Sequence, residues 1–252
     1  MGQRIPSASP GSQLPASCQR CSLSNLCIPL AVDPDHMGEL DRLVNQGRTI
    51  GRGTQIFRQH APFHAFYAVR SGAVKTCIVN DQGDEQITGF YLPGEIVGLD
   101  SVGADNVYAC SAKALEHSSV CEIPFAQLET LATQIPSLQH HFFHLMSQEI
   151  QGSQQLSMLL SKSTSEERLA SLILSLSSRY FRRRLSPNQF RLPMARNDIA
   201  NYLGLAVETV SRVLTRFQQQ GLIRLDGREL HILDKRELQT ILVKPQLCAG
   251  NE

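Results

Sequence analysis

Between about Thr54 and Ile123 the apolar residues fall in short or alternating runs, each closed by turn residues. Ala65-Phe-Tyr-Ala-Val69 stops at Arg70-Ser-Gly72, and Ala73-Val-Lys-Thr-Cys-Ile-Val79 stops at Asn80-Asp-Gln-Gly83. Gln86-Ile-Thr-Gly-Phe-Tyr-Leu92 stops at Pro93-Gly94. Side chains alternate faces along a strand, while Pro removes a ladder donor and Gly bends the chain, so this stretch predicts an antiparallel sandwich or roll. Upstream, Met37, Leu40, Leu43 and Val44 share helical spacing and predict a helix from Asp35 to Asn45.

After Pro136 the period changes to that of a long helix. Leu138, Phe142, Leu145, Gly152, Leu156 and Leu159 form one stripe, and Phe143, Met146, Ile150, Ser153, Ser157 and Leu160 form a second with alternating three- and four-residue steps. Two stripes predict that one packs on the chain's own domain and the other on a second copy. Ser153 and Ser157 bury little area, so this homodimer is expected to be marginal, which suits a switch. Thr164-Ser-Glu-Glu167 has the form of a capping box and opens the next helix, whose inner face is Leu169, Leu172, Ile173 and Leu176. Arg182-Arg-Arg184 and Ser186-Pro187 break that pattern, and the arginines are expected in a solvated turn.

A helix-turn-helix follows. Ile199, Ala200 and Leu203 mark the inner face of a first helix starting at Arg196, Gly204 supplies the positive φ of a sharp turn, and Val210, Val213, Leu214 and Phe217 bury a second helix beginning near Ala206. Glu208, Thr209, Ser211 and Arg212 face outward at the start of that second helix. Arg can take guanine O6 and N7, Glu can accept from cytosine N4, and Ser can serve either base, so Glu208, Ser211 and Arg212 are the candidate base readers. Arg216, one turn further on, and Arg196 are candidate phosphate contacts. Gly221 to Leu233 reads as a hairpin around Asp226-Gly-Arg228, the wing of a winged helix.

Composition sharpens this picture where charge is concerned. The chain has 252 residues, 42% hydrophobic and 19% charged, enough for two ordinary domains. Its net charge of +1 hides an asymmetry: residues 164–230 hold eleven Arg, no Lys and six acidic residues. A basic C-terminal segment on an otherwise acidic chain points to double-stranded DNA as partner. No apolar run reaches membrane-spanning length and the start lacks a signal-peptide core, so a cytoplasmic protein with no membrane partner is expected.

Candidate chemistry sits at the N-terminus, in Cys18-Gln-Arg-Cys21-Ser-Leu-Ser-Asn-Leu-Cys27. The preceding stretch is polar and rich in Pro, Ser and Gly, so no core calls for these thiols there. C-x2-C-x5-C brings three soft ligands together, and a fourth has to come from Cys77, Cys110, Cys121 or Cys248. Four thiolates would hold either an iron–sulfur cluster or tetrahedral zinc. Seven cysteines, an odd count, in a reducing compartment argue for metal ligation over disulfides. An iron–sulfur enzyme or electron carrier would need a substrate pocket or a second cluster motif; no second motif is present, and no enzyme activity is expected.

Taken together, Cys18-x2-Cys21-x5-Cys27, Gly83-Asp-Glu-Gln-Ile-Thr-Gly-Phe90, Val120-Cys121-Glu-Ile-Pro124 and Leu203-Gly-Leu-Ala-Val-Glu-Thr-Val-Ser-Arg212 resemble the FNR group, the oxygen-responsive regulators of the CRP/FNR superfamily. The resemblance covers nearly the whole chain. It implies an α+β fold: a cysteine-rich cluster segment over 1–30, a cyclic-nucleotide-binding-like β-roll (a double-stranded jelly roll) over 31–135, a dimerisation helix over 136–162, and a winged helix-turn-helix over 163–252. It implies Cys121 as the fourth ligand and an oxygen-labile [4Fe–4S] cluster as cofactor, whose loss loosens the homodimer and lowers DNA affinity. It further implies that Glu208, Ser211 and Arg212 read a TTGAT-type half-site of a palindrome, and that the turn at Gly83 and Asp84 touches RNA polymerase. Genes of anaerobic metabolism would be activated or repressed.

Nucleotide-binding relatives need an Arg-Ser pair after the Gly-Glu step. Gly94-Glu95 is present, but Tyr108-Ala-Cys-Ser-Ala112 carries no cation, so no cyclic nucleotide is expected. The alternative is a zinc-stapled or effector-binding CRP-like regulator without oxygen sensing. His140, His141 and His144 are expected to be solvated surface residues rather than haem ligands. Ser22 and Leu26, beside Cys21 and Cys27, are candidates to tune oxygen access.

Overall fold

The computed structural model describes residues 17–103 and 105–243, so Cys248 lies outside the described residues. A short helix, α1 (Met37–Leu43), leads into a roll of eight strands: β1 (Asn45–Ile50), β2 (Gln55–Phe57), β3 (Ala65–Ser71), β4 (Val74–Val79), β5 (Glu85–Tyr91), β6 (Ile96–Val97), β7 (Ser111–Ala114) and β8 (Ser118–Pro124). The strands form two four-stranded sheets, ordered β1-β8-β3-β6 and β2-β7-β4-β5. β3 is apolar on both faces because both are covered. Ala65, Tyr67 and Val69 point between the sheets with Phe57, Val74, Val97, Tyr108 and Val120. Phe66 and Ala68 point outward, into a second cluster with Ile28, Leu40, Ile123 and Leu138. Tyr108 lies fully buried, stacked on Phe57 at 4.0 Å between ring centroids.

Two helices, α2 (Phe125–Gln134) and α3 (Pro136–Lys162), leave the roll. The 27 residues of α3 make a rod of about 40 Å. Leu138 is fully buried against the roll. Of the expected dimer stripe, Phe143, Ile150, Ser153 and Ser157 are exposed, while Met146 and Leu160 are half-buried. Phe143 at 62% and Ile150 at 59% exposure are joined by Met158 at 70%, which the heptad reading missed. So much bare apolar surface on one helix needs a cover. Among the described residues no helix is long and apolar enough to cross a membrane.

The next helix, α4 (Ser165–Arg182), starts at the capping box as expected: Glu167 N donates to Thr164 Oγ1 at 3.3 Å, and Thr164 N donates to Glu167 Oε2 at 2.7 Å. At its end Arg182 and Arg184 are exposed as expected, and Arg183 is not. The helix continues through Arg182, and the Arg183 side chain is only 5% exposed, buried in an ion pair rather than solvated. Then come β9 (Gln189–Arg191), α5 (Arg196–Leu203), α6 (Val207–Gln219), β10 (Ile223–Asp226), β11 (Glu229–Ile232) and α7 (Lys235–Val243). Gly204 turns between α5 and α6 at φ +60°, and Gly227 turns the wing at φ +58°. The wing has a third strand, since β9 pairs with β11; three residues were too few to give an alternating signal.

The winged helix docks on the roll through α5. β5 is an edge strand, with open backbone groups that would otherwise face solvent. Asn201 fills that edge: Ile87 N donates to its Oδ1 and its Nδ2 donates to Glu85 O, both at 2.6 Å. Lys75 bridges Glu85 at 2.7 Å and Asp198 at 3.0 Å, and Lys113 meets the other Glu85 oxygen at 2.7 Å. Phe90 packs on Tyr202 with centroids 4.9 Å apart. Partial burial pushes the Glu85 pKa up, but Lys113 and Lys75 outweigh it and bring the carboxyl down from 4.5 to about 2. A depressed folded pKa means stability that is full above the unfolded value and lost as pH falls towards the folded one. Thermal melts of wild type should therefore lose stability between pH 4.5 and about 2 more steeply than melts of Glu85→Gln; parallel curves would remove Glu85 as the cause.

Candidate functional site

The three N-terminal cysteines sit in a succession of tight turns. Cys18 opens a 3-10 turn over Cys18–Arg20, and Cys21 N donates back to Cys18 O at 3.2 Å. Leu23 O accepts from Leu26 N at 2.9 Å and from Cys27 N at 3.1 Å. The loop is pinned to α1 by Asp41, which accepts from Cys18 N at 2.5 Å and from Ser17 Oγ at 2.6 Å. Asp41 was not legible in the sequence, because a lone carboxylate on a short helix has no local signature of a partner 23 residues away.

The fourth cysteine arrives by strand alternation. On β8, Val120 points between the sheets, so Cys121 points to the outer cluster, where Cys18 and Cys27 also pack. Cys18, Cys21, Cys27 and Cys121 thereby line one cavity of about 40 Å³, walled by Leu23, Ile28, Leu40, Ala68 and Ile123 among others. Cys110 belongs to the layer between the sheets, and Cys77 to the core shared with the winged helix; both are buried. Ser22 is exposed and Leu26 turns away, so neither lines the cysteine cavity; Leu23 and Ser24 do.

Burial pushes the Cys27 thiol up to about 12. Burial, reinforced by the Asp41 charge, raises Cys18 strongly, and burial raises Cys121. Thiolates in such an apolar pocket need a cationic centre to exist. An all-sulfur donor set in an apolar shell fits a soft metal centre. Among the described residues no three His, Cys, Asp or Glu side chains form a group able to hold a single metal ion. The four thiols thus share a cavity without being closed around one ion.

At the far end of the chain, α6 buries Val210, Val213, Leu214 and Phe217. Glu208 and Arg212 are left exposed and Ser211 half-exposed on the opposite face. Arg212 Nη2 donates to Thr209 Oγ1 at 3.1 Å, and Arg196 Nη1 donates to Ser211 Oγ at 3.0 Å, which brings three of the expected DNA residues onto one surface. Arg216 is exposed and paired through Nη1 with Glu166 of α4. The turn bearing Gly83 and Asp84 is exposed. It is shaped by Asn80 Oδ1, which accepts from Gln82 N at 3.0 Å and Asp84 N at 2.8 Å, with Gly83 at φ +87°.

A family model for the cyclic nucleotide-binding domain matches residues 48–134, and one for the Crp-like helix-turn-helix domain matches residues 167–241. The transcriptional activator protein anr of Pseudomonas aeruginosa is 53% identical over 223 residues, covering 88% of this chain and 91% of that protein. The fumarate and nitrate reduction regulatory protein of Escherichia coli K12 is 45% identical over 215 residues, covering 85% of this chain and 86% of that one. Among solved structures, FixK2 from Bradyrhizobium japonicum superposes with a TM-score of 0.71 at 26% identity, over 77% of this chain and 96% of that chain.

Proposed function

The chain belongs to the CRP/FNR family of transcription regulators, in its oxygen-responsive FNR and Anr branch, and we propose that it reads oxygen through a [4Fe–4S] cluster held by Cys18, Cys21, Cys27 and Cys121. The observation that carries this reading is the convergence of those four thiols, and no others among the described residues, on one apolar cavity. When bound, the cluster would supply an oxygen-labile centre held by iron–thiolate bonds to both the loop and β8.

The protein's own residues give those bonds their effect. Cys18, Cys21 and Cys27 tether the N-terminal loop, and Cys121 anchors it to β8, 94 residues beyond Cys27. The loop runs on through Ile28 and Val32 into the apolar cluster that also holds Leu138, at the start of α3. Loop placement is therefore read at the base of the dimer helix. The largely exposed stripe from Phe143 to Leu160 pairs with a second copy, and two α6 helices then meet a palindrome in successive major grooves. Glu208, Ser211 and Arg212 read each TTGAT-type half-site, while Arg196 and Arg216 contact phosphate. The exposed Gly83–Asp84 turn stays available to RNA polymerase.

The roll acts as scaffold rather than as a nucleotide pocket. The Glu95 carboxylate of the Gly94-Glu95 step is already engaged by Arg179 and Arg183. Iron and acid-labile sulfide measured on anaerobically purified protein should give about four irons per chain. A stoichiometric zinc content that is stable in air would overturn the oxygen-sensing reading.

A further inference from the structure

A cavity of about 430 Å³ opens where the roll, α3 and α4 meet, and its wall includes Leu26, Gly94, Glu95, Arg179 and Arg183. These five residues form a continuous chain of contacts. Leu26 is the neighbour of Cys27 and rests on Gly94, where an added Cβ would stand 2.9 Å from Leu26 Cβ. Gly94 takes φ +89° and is fixed to β3, its N donating to Val69 O at 2.8 Å. Glu95 follows directly, with Leu92 N donating to its Oε2 at 2.9 Å.

From α4, Arg179 Nε donates to Glu95 Oε1 at 2.9 Å and its Nη2 donates to Oε2. Arg183 Nη2 reaches Oε1 at 2.6 Å. The same arginines hold the turn's backbone: Arg179 Nη2 donates to Phe90 O at 2.5 Å and Arg183 Nε donates to Pro93 O at 2.7 Å. All three side chains are largely buried, at 24% exposure for Glu95, 15% for Arg179 and 5% for Arg183. α4 in turn forms the floor of the winged helix, where Leu169, Ile173 and Leu176 pack with Leu203, Leu214 and Phe217.

We propose that Glu95 is a positioning residue that fixes the DNA-binding domain to the cysteine loop, through Leu26 and Gly94 on one side and Arg179 and Arg183 on the other. It rests on the cluster reading only for what moves the loop. A bidentate carboxylate–guanidinium pair sets orientation as well as distance, and Arg183 and the Leu92 amide hold the same carboxylate from further directions. Movement of Leu26 off Gly94 frees the turn that Arg179 and Arg183 grip, and α4 and the helix-turn-helix lose their fixed angle. The loop then acts on DNA affinity by two routes, one through dimerisation along α3 and one within each chain through Glu95.

The test compares wild type, Glu95→Gln, Leu26→Ala and the double variant as full-length protein, anaerobically and after exposure to air. Iron per chain, sedimentation and affinity for a palindromic TTGAT-type duplex are measured on each. Glu95→Gln and Leu26→Ala should each keep iron and the dimer yet lower anaerobic DNA affinity about tenfold. The double variant should be no weaker than the weaker single, because both act on one connection. Wild-type affinity for Glu95→Gln, or strictly multiplicative losses in the double variant, would overturn the proposal. Should Glu95→Gln fail to fold, Leu26→Ala decides alone: reduced affinity with dimer retained supports the connection, and unchanged affinity refutes it. If wild type itself holds no iron, the cluster reading falls, and the connection is judged by Glu95→Gln against wild type in that same state.

Discussion

Replacing Cys121 with Ser should abolish iron retention, whereas replacing Cys110 with Ser should leave it intact. The two thiols lie eleven positions apart on neighbouring parts of the roll, and both are substantially buried. What separates them is direction. Cys121 points outward from β8 into the cavity shared with Cys18, Cys21 and Cys27, and Cys110 points into the layer between the sheets. A serine hydroxyl is a hard, weakly acidic ligand that an apolar pocket keeps protonated, so it is a far poorer ligand to iron than a thiolate. Iron should fall from about four per chain towards none. Anaerobic DNA binding should fall with it to the level of air-treated wild type, because three ligands on the loop no longer have an anchor on β8. Retained iron in Cys121→Ser, or lost iron in Cys110→Ser, would show that the ligand set is wrong.

Replacing Arg212 with Ala should remove preference for the specific half-site while sparing non-specific binding. Arg212 is exposed near the start of α6 and is steadied by Thr209 Oγ1 at 3.1 Å. A bidentate contact to a base contributes about 1–3 kcal/mol of discrimination, which corresponds to roughly 5- to 150-fold per half-site. The basic surface around it remains, so binding to random duplex should persist and weaken steeply with salt. Competition between a palindromic duplex and random DNA across a salt series reads both quantities. Unchanged discrimination would show that Arg212 does not read a base, and equal loss on both duplexes would make it a phosphate contact.

Elements whose cause is local were legible from the chain alone. The capping box at Thr164, the turn at Gly204 and the buried face of α6 each depend on residues within a few positions, and the structure places all three as expected. The cysteine loop was legible for the same reason. Contacts made by residues far apart in the chain were not. Arg183 looked like part of a solvated run because its partner, Glu95, lies 88 positions away on the roll. Asn201 read as an ordinary polar position on a helix, yet it caps an edge strand 114 residues earlier. β9 escaped notice because three residues carry no period.

By itself the sequence determined most elements and their order, the three-cysteine loop, and which face of α6 is buried and which is left exposed, since short-range spacing and backbone preference decide these. Spacing left Cys121 and Cys110 as equal candidates and only the family resemblance favoured Cys121; tertiary structure decided that Cys121 meets that loop, that Asp41 pins it, and that Glu95 is engaged by α4. The reason is physical. Which face a strand side chain occupies depends on what covers the sheet, and an ion pair across domains exists only once both surfaces have been brought together.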